Sequence, residues 1–589
     1  MPKTQNIGLL ILAAAIPLLV IAPLPDFWIT QLNYIGIYSM TVLGLILLTG
    51  VGGLTSFGQA AFVGIGAYTT AWLTLNTGMS PWITLFIGMA LTAGSALIVG
   101  LITLRMSGHY LPLATIAWGL SLYYTMGNLD ALGKYDGLLG IKSLTIAGYD
   151  IGQGRAFFVL TWVILLAFVA ALLYLLDSRA GRAMRSLKSG SQMAEAMGIN
   201  TFRYKVTMFV LAALFASVAG WLLAHFQRTV NPSAFGLKMG IEYLFMAVIG
   251  GVGYVWGAIV GAGLIRVLED QLQVLLPKLI GTSGSYEVIV FGIALVVVLK
   301  YLPDGLWSIV GRNRKPRPRT VDWQNAPALP ERTKPATGEL VLDVKKARMQ
   351  FGGLVAVNDI SFQIHAGQIV GLIGPNGAGK STTFNLITGV LPATAGEVQF
   401  QGGNVIGKPS RAIAQLGMAR TFQHVKMIPD MTVLENVALG AHTRGHKGVL
   451  PAMLRANRAE ERQLFREAQR QLERIGMGEY LHEQAGNLAM GPQRLMEIAR
   501  ALCADPTLLL LDEPAAGLRH KEKQALAGVL RQLKAEGMSI LLVEHDMDLV
   551  MQICDHLVVM EFGTLLTQGP PEQVQQDPKV RAAYLGTEH

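Results

Sequence analysis

The stretch that decides the fold of the second half of this chain is Gly374-Pro375-Asn376-Gly377-Ala378-Gly379-Lys380-Ser381-Thr382. It fits the pattern G-x-x-x-x-G-K-[ST], a loop whose backbone N–H groups converge on the phosphates of a nucleotide. The apolar run 369–373 predicts a buried strand before it, and residues 383–388 predict the first turns of a helix after it. This setting favours a phosphate-binding loop over a plain glycine-rich turn, with Lys380 on the outer phosphates of ATP and the Ser381 hydroxyl on Mg²⁺.

A second strand end that could serve the nucleotide lies about 130 residues downstream, and it is acidic. The leucine run 508–511 predicts a strand that is buried on both faces. Asp512, at its end, is a candidate Mg²⁺ ligand, and Glu513 is a candidate to polarise the water that attacks the γ-phosphate. Either acid alone could be a surface residue, but the pair at this distance from the phosphate loop indicates ATP hydrolysis.

The composition predicts a membrane part ahead of this domain. Of 589 residues, 51% are hydrophobic and 15% are charged, values that are not typical of a soluble enzyme. The formal net charge of +9 does not predict a nucleic-acid partner, because many basic residues lie beside apolar segments, as the positive-inside rule requires. Cys503 and Cys554 form no disulfide framework or zinc spacing, and we expect both in the core of a cytosolic domain.

Residues 7–302 form a series of apolar segments of a length that predicts membrane-crossing helices. The candidates are 7–24, 30–50, 55–75, 82–104, 110–127, 157–176, 206–225, 240–268 and 286–302. We expect the stretch 240–268 to break at Gly250-Gly251-Val252-Gly253, which gives about 8–10 membrane segments, some of them re-entrant. We expect no paired Asp and Arg at mid-membrane depth in these segments, a pattern that fits a low-affinity path.

Loop charges predict the orientation of these segments. Six Lys or Arg stand against two acids between Asp177 and Lys205, so this loop and both termini are expected in the cytoplasm. Residues 311–338 hold seven Lys or Arg and five prolines. They predict an extended tether that either lies on anionic membrane lipid or is a solvated spacer. The predicted organisation is an all-α membrane domain (1–310), a basic Pro-rich linker (311–338) and an α/β P-loop ATPase domain (339–589).

From Glu339 to its end, the chain resembles the ATP-binding cassette ATPases. The resemblance rests on the phosphate loop, the acidic strand end, Thr421-Phe422-Gln423 and Val543-Glu544-His545-Asp546. It implies that Phe351 stacks on adenine and that His545 contacts the γ-phosphate. It also implies that Gln423 senses Mg²⁺ and couples hydrolysis to the membrane domain.

One motif departs from that family. The signature Leu-Ser-Gly-Gly-Gln appears here as Leu488-Ala489-Met490-Gly491-Pro492. In the family this motif caps ATP bound to the opposite subunit, which makes Ala489 and Gly491 nucleotide contacts of a partner's site. Ala489 has no hydroxyl for the phosphate, and Pro492 is expected at the first helical position. This departure implies that the signature motif contacts ATP more weakly and that the two ATP sites of the complex are functionally unequal.

Residues 1–310 resemble the permeases that import branched-chain and related hydrophobic amino acids. The similarity rests on residues 56–68, 136–141, 178–183, 194–200 and 231–251, and the ending 580–586 resembles the ATPases of the same transporters. It implies a permease fused to an ATPase in the bacterial inner membrane. The implied partners are a second permease and a second ATPase, homologous or from a second copy, and a periplasmic solute-binding protein. In such importers the loop at 194–200 carries a coupling helix, and Glu195 is a candidate to dock on the ATPase.

Three other functions stay open. The solute could be urea, an amide or another small organic molecule. The order of membrane domain and ATPase is that of exporters, although the glycine-rich, broken segments and the single compact loop favour an importer. Third, the chain could be a membrane-anchored ATPase that has a regulatory role and transports no solute.

Overall fold

The computed structural model describes residues 3–106, 110–280, 287–311, 323 and 325–585. The chain forms two compact units. The first consists of Met1–Lys188, Phe202–Lys315 and Val449–Arg455, and the second of Ser189–Thr201, Pro316–Gly448 and Ala456–His589. Residues 312–322, which carry the basic half of the predicted linker, and Gly586 of the C-terminal ending lie outside the described residues.

The first unit is built from helices. In chain order the helices up to the linker are α1 (Lys3–Ile21), α2 (Asp26–Leu45) with a π-helical continuation (Ile46–Val51), α3 (Gln59–Asn76), α4 (Pro81–Thr103), α5 (Tyr110–Asn128), α6 (Gly154–Leu176), α7 (Arg179–Ser189), α8 (Ser191–Ala196, in the second unit), α9 (Thr201–Gln227), α10 (Leu237–Gly250), α11 (Gly257–Ile280), α12 (Glu287–Tyr301) and α13 (Trp307–Gly311). Two short antiparallel ladders accompany them: β1 (Leu138–Leu139) pairs with β4 (Thr229–Val230), and β2 (Thr145–Ile146) pairs with β3 (Tyr149–Asp150).

Four of the described helices are long and apolar enough to cross a membrane, namely α2 with its continuation, α4, α6 and α9. The helices at the other predicted positions do not meet both criteria, so the number of crossings stays a prediction. The predicted break is confirmed, because α10 ends at Gly250 and α11 begins at Gly257. These two helices touch closely: a Cβ on Gly250 would lie 1.9 Å from the carbonyl oxygen of Gly257.

One helix extends beyond its predicted apolar segment. Arg266 and Glu269 form an ion pair on α11, with 2.9 Å between Nη1 and Oε2. The sequence pattern ended this segment at residue 268, whereas the helix continues to Ile280 and carries the acid on its next turn. The apolar pattern stops short of the end of the helix, because polar residues can also continue a helix where their side chains have hydrogen-bond or ion-pair partners.

The second unit contains two sheets. One has six strands in the order β10-β11-β12-β7-β13-β14 and is mostly parallel, and the other has four antiparallel strands in the order β6-β5-β8-β9. The strands are β5 (Leu340–Phe351), β6 (Leu354–His365), β7 (Ile369–Ile373), β8 (Ala395–Phe400), β9 (Gly403–Asn404), β10 (Met418–Arg420), β11 (Leu508–Asp512), β12 (Ser539–Val543), β13 (His556–Glu561) and β14 (Thr564–Gly569). This confirms the predicted α/β fold.

The helices that follow the linker belong to the second unit, except for one. They are α14 (Lys380–Ile387), α15 (Ser410–Leu416), α16 (Val433–Ala438), α17 (Val449–Met453, in the first unit), α18 (Arg458–Arg474), α19 (Met490–Leu502), α20 (His520–Ala535), α21 (Met547–Ile553), α22 (Pro571–Gln576) and α23 (Pro578–Leu585). Cys503 and Cys554 are free and buried, as predicted.

The leucine run forms β11, which lies between two apolar cores. Leu508 and Leu510 belong to the core that includes β5 and β6, whereas Leu509 and Leu511 belong to the core formed with the helices α18, α19 and α20. Successive side chains of a strand point to opposite faces, so a strand covered on both sides needs an unbroken apolar run.

The segment Ser189–Thr201 of the basic loop is part of the second unit. Its helix α8 packs against α15, and a Cβ on Gly198 would lie 2.2 Å from Thr443 Cγ2. Glu195 Oε1 accepts a hydrogen bond from Thr201 Oγ1 at 2.9 Å, at the start of α9. The docking role of Glu195 itself stays a prediction.

The described half of the linker is not a free tether. Trp323 and Leu329 are buried in the helical core, and the ring of Trp323 lies 5.8 Å from that of Phe465. Arg332 donates to the carbonyl oxygen of Leu416 at 2.6 Å, at the C-terminus of α15. The polar and proline-rich composition predicted a spacer, but its few apolar side chains find a core to join.

We predict that Trp323→Ala lowers the free energy of unfolding of the second unit by about 3–5 kcal/mol, because truncating a buried aromatic residue leaves a cavity. Thermal unfolding of the purified full chain, followed through loss of nucleotide binding, measures the change. Leu340→Ala is the matched control, since Leu340 is 43% exposed. Equal transition temperatures for Trp323→Ala and the wild type would contradict the packing of the linker.

Candidate active site

The predicted phosphate loop joins β7 to α14. Gly374 and Gly379 have φ angles of 152° and 93°. A Cβ on Gly374 would lie 2.2 Å from the carbonyl oxygen of Met560, and one on Gly379 would lie 2.5 Å from that of Ala356. Glycine is therefore required at both positions. Helix α14 begins at Lys380, three residues before the predicted start, so its free N–H groups face the loop.

Lys380 is buried beneath the loop. Its Nζ donates to the carbonyl oxygens of Gly374 and Pro375 at 2.7 and 2.9 Å. Burial lowers the pKa of this lysine, and the carboxylates of Glu513 and Asp512 act in the opposite direction. The loop itself thus holds the ammonium group in place.

A cavity of about 440 Å³ brings several predicted residues together. It is lined by residues 376–382, Gln423 and Glu513, and on another side by residues 354–356 and 562–563. Phe351 is not among the lining residues: it ends β5 and is 46% exposed, so its stacking on adenine stays a prediction. The aromatic side chain on the cavity wall is Phe562, in the turn between β13 and β14, which no motif identified.

Three parallel strands end at the same edge of the sheet. The register pairs Asp512 with Val543 on β12, and Val543 with Leu372 on β7. The acids after β11, the Glu544-His545 pair after β12 and the phosphate loop after β7 therefore lie side by side. Open parallel sheets bind ligands at this edge.

Asp512 is buried beside Arg420, with 3.9 Å between Oδ2 and Nη2. Burial raises the pKa of Asp512 to about 6, and the charge of Arg420 acts against this rise. Its Oδ1 has no hydrogen-bond partner among the described residues. Arg420 lies 4.7 Å from the ring centroids of both Phe384 and Phe422. The sequence analysis missed Arg420, because a buried arginine on a short strand has no motif of its own.

Glu513 is the point at which the three predicted catalytic residues meet. Its φ of 47° lies in the left-handed region, which is uncommon for residues other than glycine. Gln423 Nε2 donates to Glu513 Oε2 at 3.0 Å, and His545 Nδ1 lies 4.0 Å from the same oxygen. Chain segments about 90 and 30 residues away from Glu513 thus converge on one carboxylate oxygen.

Glu544 is a second residue whose role the sequence analysis missed. It is fully buried, and its carboxylate accepts the N–H groups of Ala515 and His545 at 2.7 and 3.1 Å. Burial raises its pKa, whereas these backbone hydrogen bonds lower it. Glu544 ties the end of β12 to the chain that follows Glu513, which positions His545.

The residues of the altered signature lie outside this cavity. Ala489 precedes α19 as its N-cap and makes no side-chain capping bond. Pro492 is the third helical residue rather than the first, because α19 begins at Met490; its missing N–H is still one of the four that have no intrahelical partner. The contacts of Ala489 and Gly491 with a partner's ATP stay predictions.

Helix α19 instead holds the glutamine segment of the same chain. Arg494 Nη2 donates to the carbonyl oxygen of Gln423 at 2.6 Å. Arg500 Nη1 donates to the carbonyl oxygen of Lys426 at 2.6 Å, and Glu497 accepts the N–H of Lys426 at 3.0 Å. These three buried charges fix the backbone that carries Gln423, and no local pattern in α19 identified them.

Three known families match this chain. Residues 28–299 match the family described as branched-chain amino acid transport system / permease component. Residues 357–516 match the ABC transporter family, and residues 564–589 match the family described as branched-chain amino acid ATP-binding cassette transporter.

Individual relatives cover the second half of the chain. The high-affinity branched-chain amino acid transport ATP-binding protein LivG of Escherichia coli (strain K12) is 44% identical over 250 residues, which are 42% of this chain and 98% of LivG. The protein BraF of Pseudomonas aeruginosa, described in the same words, is 42% identical over 249 residues, again 42% of this chain and 98% of BraF. Among solved structures, a nucleotide-free ATP-binding cassette from an ABC transporter is 32% identical, with a TM-score of 0.37, and is matched over 42% of this chain and 98% of its own.

We predict that the Mg²⁺ concentration for half-maximal ATP hydrolysis rises as the pH falls below about 6. Because the pKa of Asp512 is raised, its carboxylate takes up a proton well above the pH at which an ordinary aspartate does, and the protonated form is a poor ligand. A Mg²⁺ titration of hydrolysis between about pH 5 and pH 8 measures this.

Two variants control this experiment. Asp512→Asn should need more Mg²⁺ at every pH and lose the dependence. Glu561→Gln, at the end of β13 and outside the cavity, should behave as the wild type. A Mg²⁺ requirement of the wild type that does not change between about pH 5 and pH 7 would contradict the assignment.

Proposed function

We propose that this chain, which belongs to the ATP-binding cassette transporters and joins a permease to its ATPase in one polypeptide, drives the import of branched-chain amino acids. Membership of the family makes it a membrane protein that hydrolyses ATP in step with transport. The direction and the solute are the proposed part. They are supported by the permease family matched over 28–299 and by ATPase relatives named for branched-chain amino acid transport.

The observation that carries the ATP-driven part of this proposal is the convergence of Gln423, Glu513 and His545 beside the phosphate loop. ATP is the substrate of this site. The backbone N–H groups of the loop and the ammonium of Lys380 suit its phosphates, because the two glycines leave room for a close approach. Glu513 then acts as the general base that takes a proton from the attacking water, and Gln423 and His545 hold that carboxylate and the γ-phosphate in position.

Mg²⁺ fits the residues beside the loop. Ser381, Asp512 and Gln423 would hold it, and the unpartnered Oδ1 of Asp512 supports this assignment. When bound, the ion neutralises charge on the phosphate oxygens.

The complete transporter requires two permease domains and two ATPase domains, because each signature motif serves the partner's nucleotide. Here residues 1–310 supply one permease, 311–338 the linker and 339–589 one ATPase. The second pair comes from a homologous permease and ATPase or from a second copy of this chain, and a periplasmic protein delivers the solute. The transporter lies in the bacterial inner membrane with its ATPase in the cytoplasm, and α8 carries the movement of the ATPase to the permease.

We predict that proteoliposomes containing the complete transporter and ATP in the lumen on the ATPase side take up leucine, isoleucine and valine only with the loaded binding protein. Glu513→Gln should lower uptake and hydrolysis by about 10²–10⁴-fold, since it removes the general base. Glu561→Gln, a strand-end acid outside the cavity, is the matched control.

The three alternative functions predict different results in this experiment. Solute movement in the opposite direction identifies an exporter. Uptake of urea or amides with no uptake of leucine identifies another solute class. Uptake that survives Glu513→Gln contradicts coupling and favours a regulatory ATPase.

We predict that Ala489→Ser raises ATP hydrolysis by the complete transporter up to about tenfold, because a restored hydroxyl gives the phosphate one hydrogen bond worth ~1.4 kcal/mol. Serine also caps helices, so the melting temperature is recorded beside the activity. Ala535→Ser, at the exposed end of α20, is the control. An unchanged rate of ATP hydrolysis in Ala489→Ser, together with two ATP sites that already hydrolyse at equal rates, would contradict a weak contact between the signature motif and ATP.

A further inference from the structure

A charged cluster joins α2 to α11 in the first unit. Gln31 bridges it: Nε2 donates to Asp270 Oδ1 at 3.0 Å, and Oε1 accepts from Arg266 Nε at 3.0 Å. Arg266 Nη1 donates to Glu269 Oε2 at 2.9 Å. Gln31 is buried, whereas the side chains of Arg266 and Glu269 are each 20% exposed. The hydrogen bonds of the buried Gln31 therefore hold the cluster in place, while part of Arg266 and part of Glu269 remain exposed.

The charges in this cluster do not balance. Glu269 neutralises Arg266, and within the described part of the chain the carboxylate of Asp270 has the neutral amide of Gln31 as its hydrogen-bond partner. Among the described residues, the hydrogen bonds of Arg266 in this cluster come from Nε and Nη1, and Nη2 has none there. Within that part of the chain, the cluster presents one guanidinium edge and one carboxylate that is not ion-paired.

Aromatic rings continue from this cluster along α2. The guanidinium of Arg266 lies 4.7 Å from the ring centroid of Tyr34. Tyr34 contacts Tyr38, with 5.9 Å between ring centroids, and Tyr38 contacts Tyr243 of α10 at 5.7 Å. Tyr243 is buried, whereas the half-buried rings of Tyr34 and Tyr38 lie beside two groups of opposite charge.

The position of the cluster follows from the helices that it contacts. The ring of Tyr34 lies 5.2 Å from that of Phe226, and Gln227 Nε2 donates to Tyr34 Oη at 3.3 Å, so the cluster lies near the C-terminus of α9. The basic loop joins the C-terminus of α6 to the N-terminus of α9 and therefore lies at the other end of that helix. With that loop in the cytoplasm, the cluster lies toward the periplasm.

We propose that this cluster is a transit site for a zwitterionic amino acid on its way through the permease. Arg266 Nη2 receives the carboxylate, Asp270 receives the ammonium group, and the faces of Tyr34 and Tyr38 receive the hydrocarbon side chain. Gln31 already joins α2 to Arg266 and Asp270 of α11, and this link does not require the exposed guanidinium edge of Arg266. Ionisable groups on membrane helices are costly and mark solute pathways. The inference rests on the proposed uptake of branched-chain amino acids and names the groups that bind them.

The test uses the complete reconstituted transporter and its leucine-loaded binding protein. Arg266→Gln and Asp270→Asn should each lower the leucine taken up per ATP hydrolysed by about tenfold, the effect of one charge-assisted hydrogen bond, while hydrolysis stays within about twofold of the wild type. Arg266→Lys keeps the charge without the planar fork and should give an intermediate loss. Lys134→Gln, which removes an exposed ion pair with Asp130 at 2.6 Å, is the matched control.

A second measurement reports binding directly. A leucine analogue with a diazirine in its side chain is photolysed in the transporter, and the label is mapped by mass spectrometry. The label should fall on α2 beside Tyr34 and Tyr38, be competed by leucine, and drop about tenfold in Arg266→Gln.

The outcomes separate this inference from the proposed function. A wild-type transporter that moves no leucine overturns both. A wild type that moves leucine, with variants that keep uptake within about twofold and label mapped elsewhere, overturns the transit site alone. Variants that lose uptake and hydrolysis together and melt at lower temperature show a structural cluster and also overturn it.

Discussion

The parallel pairing of β11 with β12 and of β12 with β7 is the constraint on which the active site depends. Every residue of these three strands is buried. A slip of one residue would exchange the side chains that face the two cores, so the register is strongly determined. That register places Asp512 and Glu513, His545 and the phosphate loop at one edge of the sheet. The chemistry of the ATPase therefore depends on the packing of residues that never contact the nucleotide.

The glutamine segment depends on a different interaction, the buried charges of α19. A buried arginine or glutamate is costly unless it is paired and hydrogen-bonded. Arg494, Glu497 and Arg500 pair with one another and with the backbone at Gln423 and Lys426, while Arg494 Nε, Glu497 Oε2 and Arg500 Nε have no hydrogen-bond partner among the described residues. Because α19 begins directly after Ala489, one helix joins the altered signature to the segment that carries Gln423.

Close contacts of small residues determine the packing of the first unit. A Cβ on Gly220 would lie 1.9 Å from the carbonyl oxygen of Val63, and one on Gly66 would lie 2.3 Å from that of Ser217, so α3 and α9 touch backbone to backbone. In apolar surroundings such packing replaces the hydrophobic effect as the force between helices. The cluster around Arg266 adds charged and polar contacts between α2 and α11 to this packing.

The sequence by itself determined the features whose cause is local: the phosphate loop, the doubly buried strand before Asp512, the apolar helices and the helix break at Gly250. Each depends on neighbouring residues, because backbone conformation, side-chain period and glycine content act over a few positions. Only the tertiary structure decided which distant groups meet. Arg420 beside Asp512, the packing of Trp323 in the helical core and the pairing of Gln31 with α11 join residues that are far apart in the chain. Burial and charge compensation select such partners in three dimensions, and no spacing in the sequence records them.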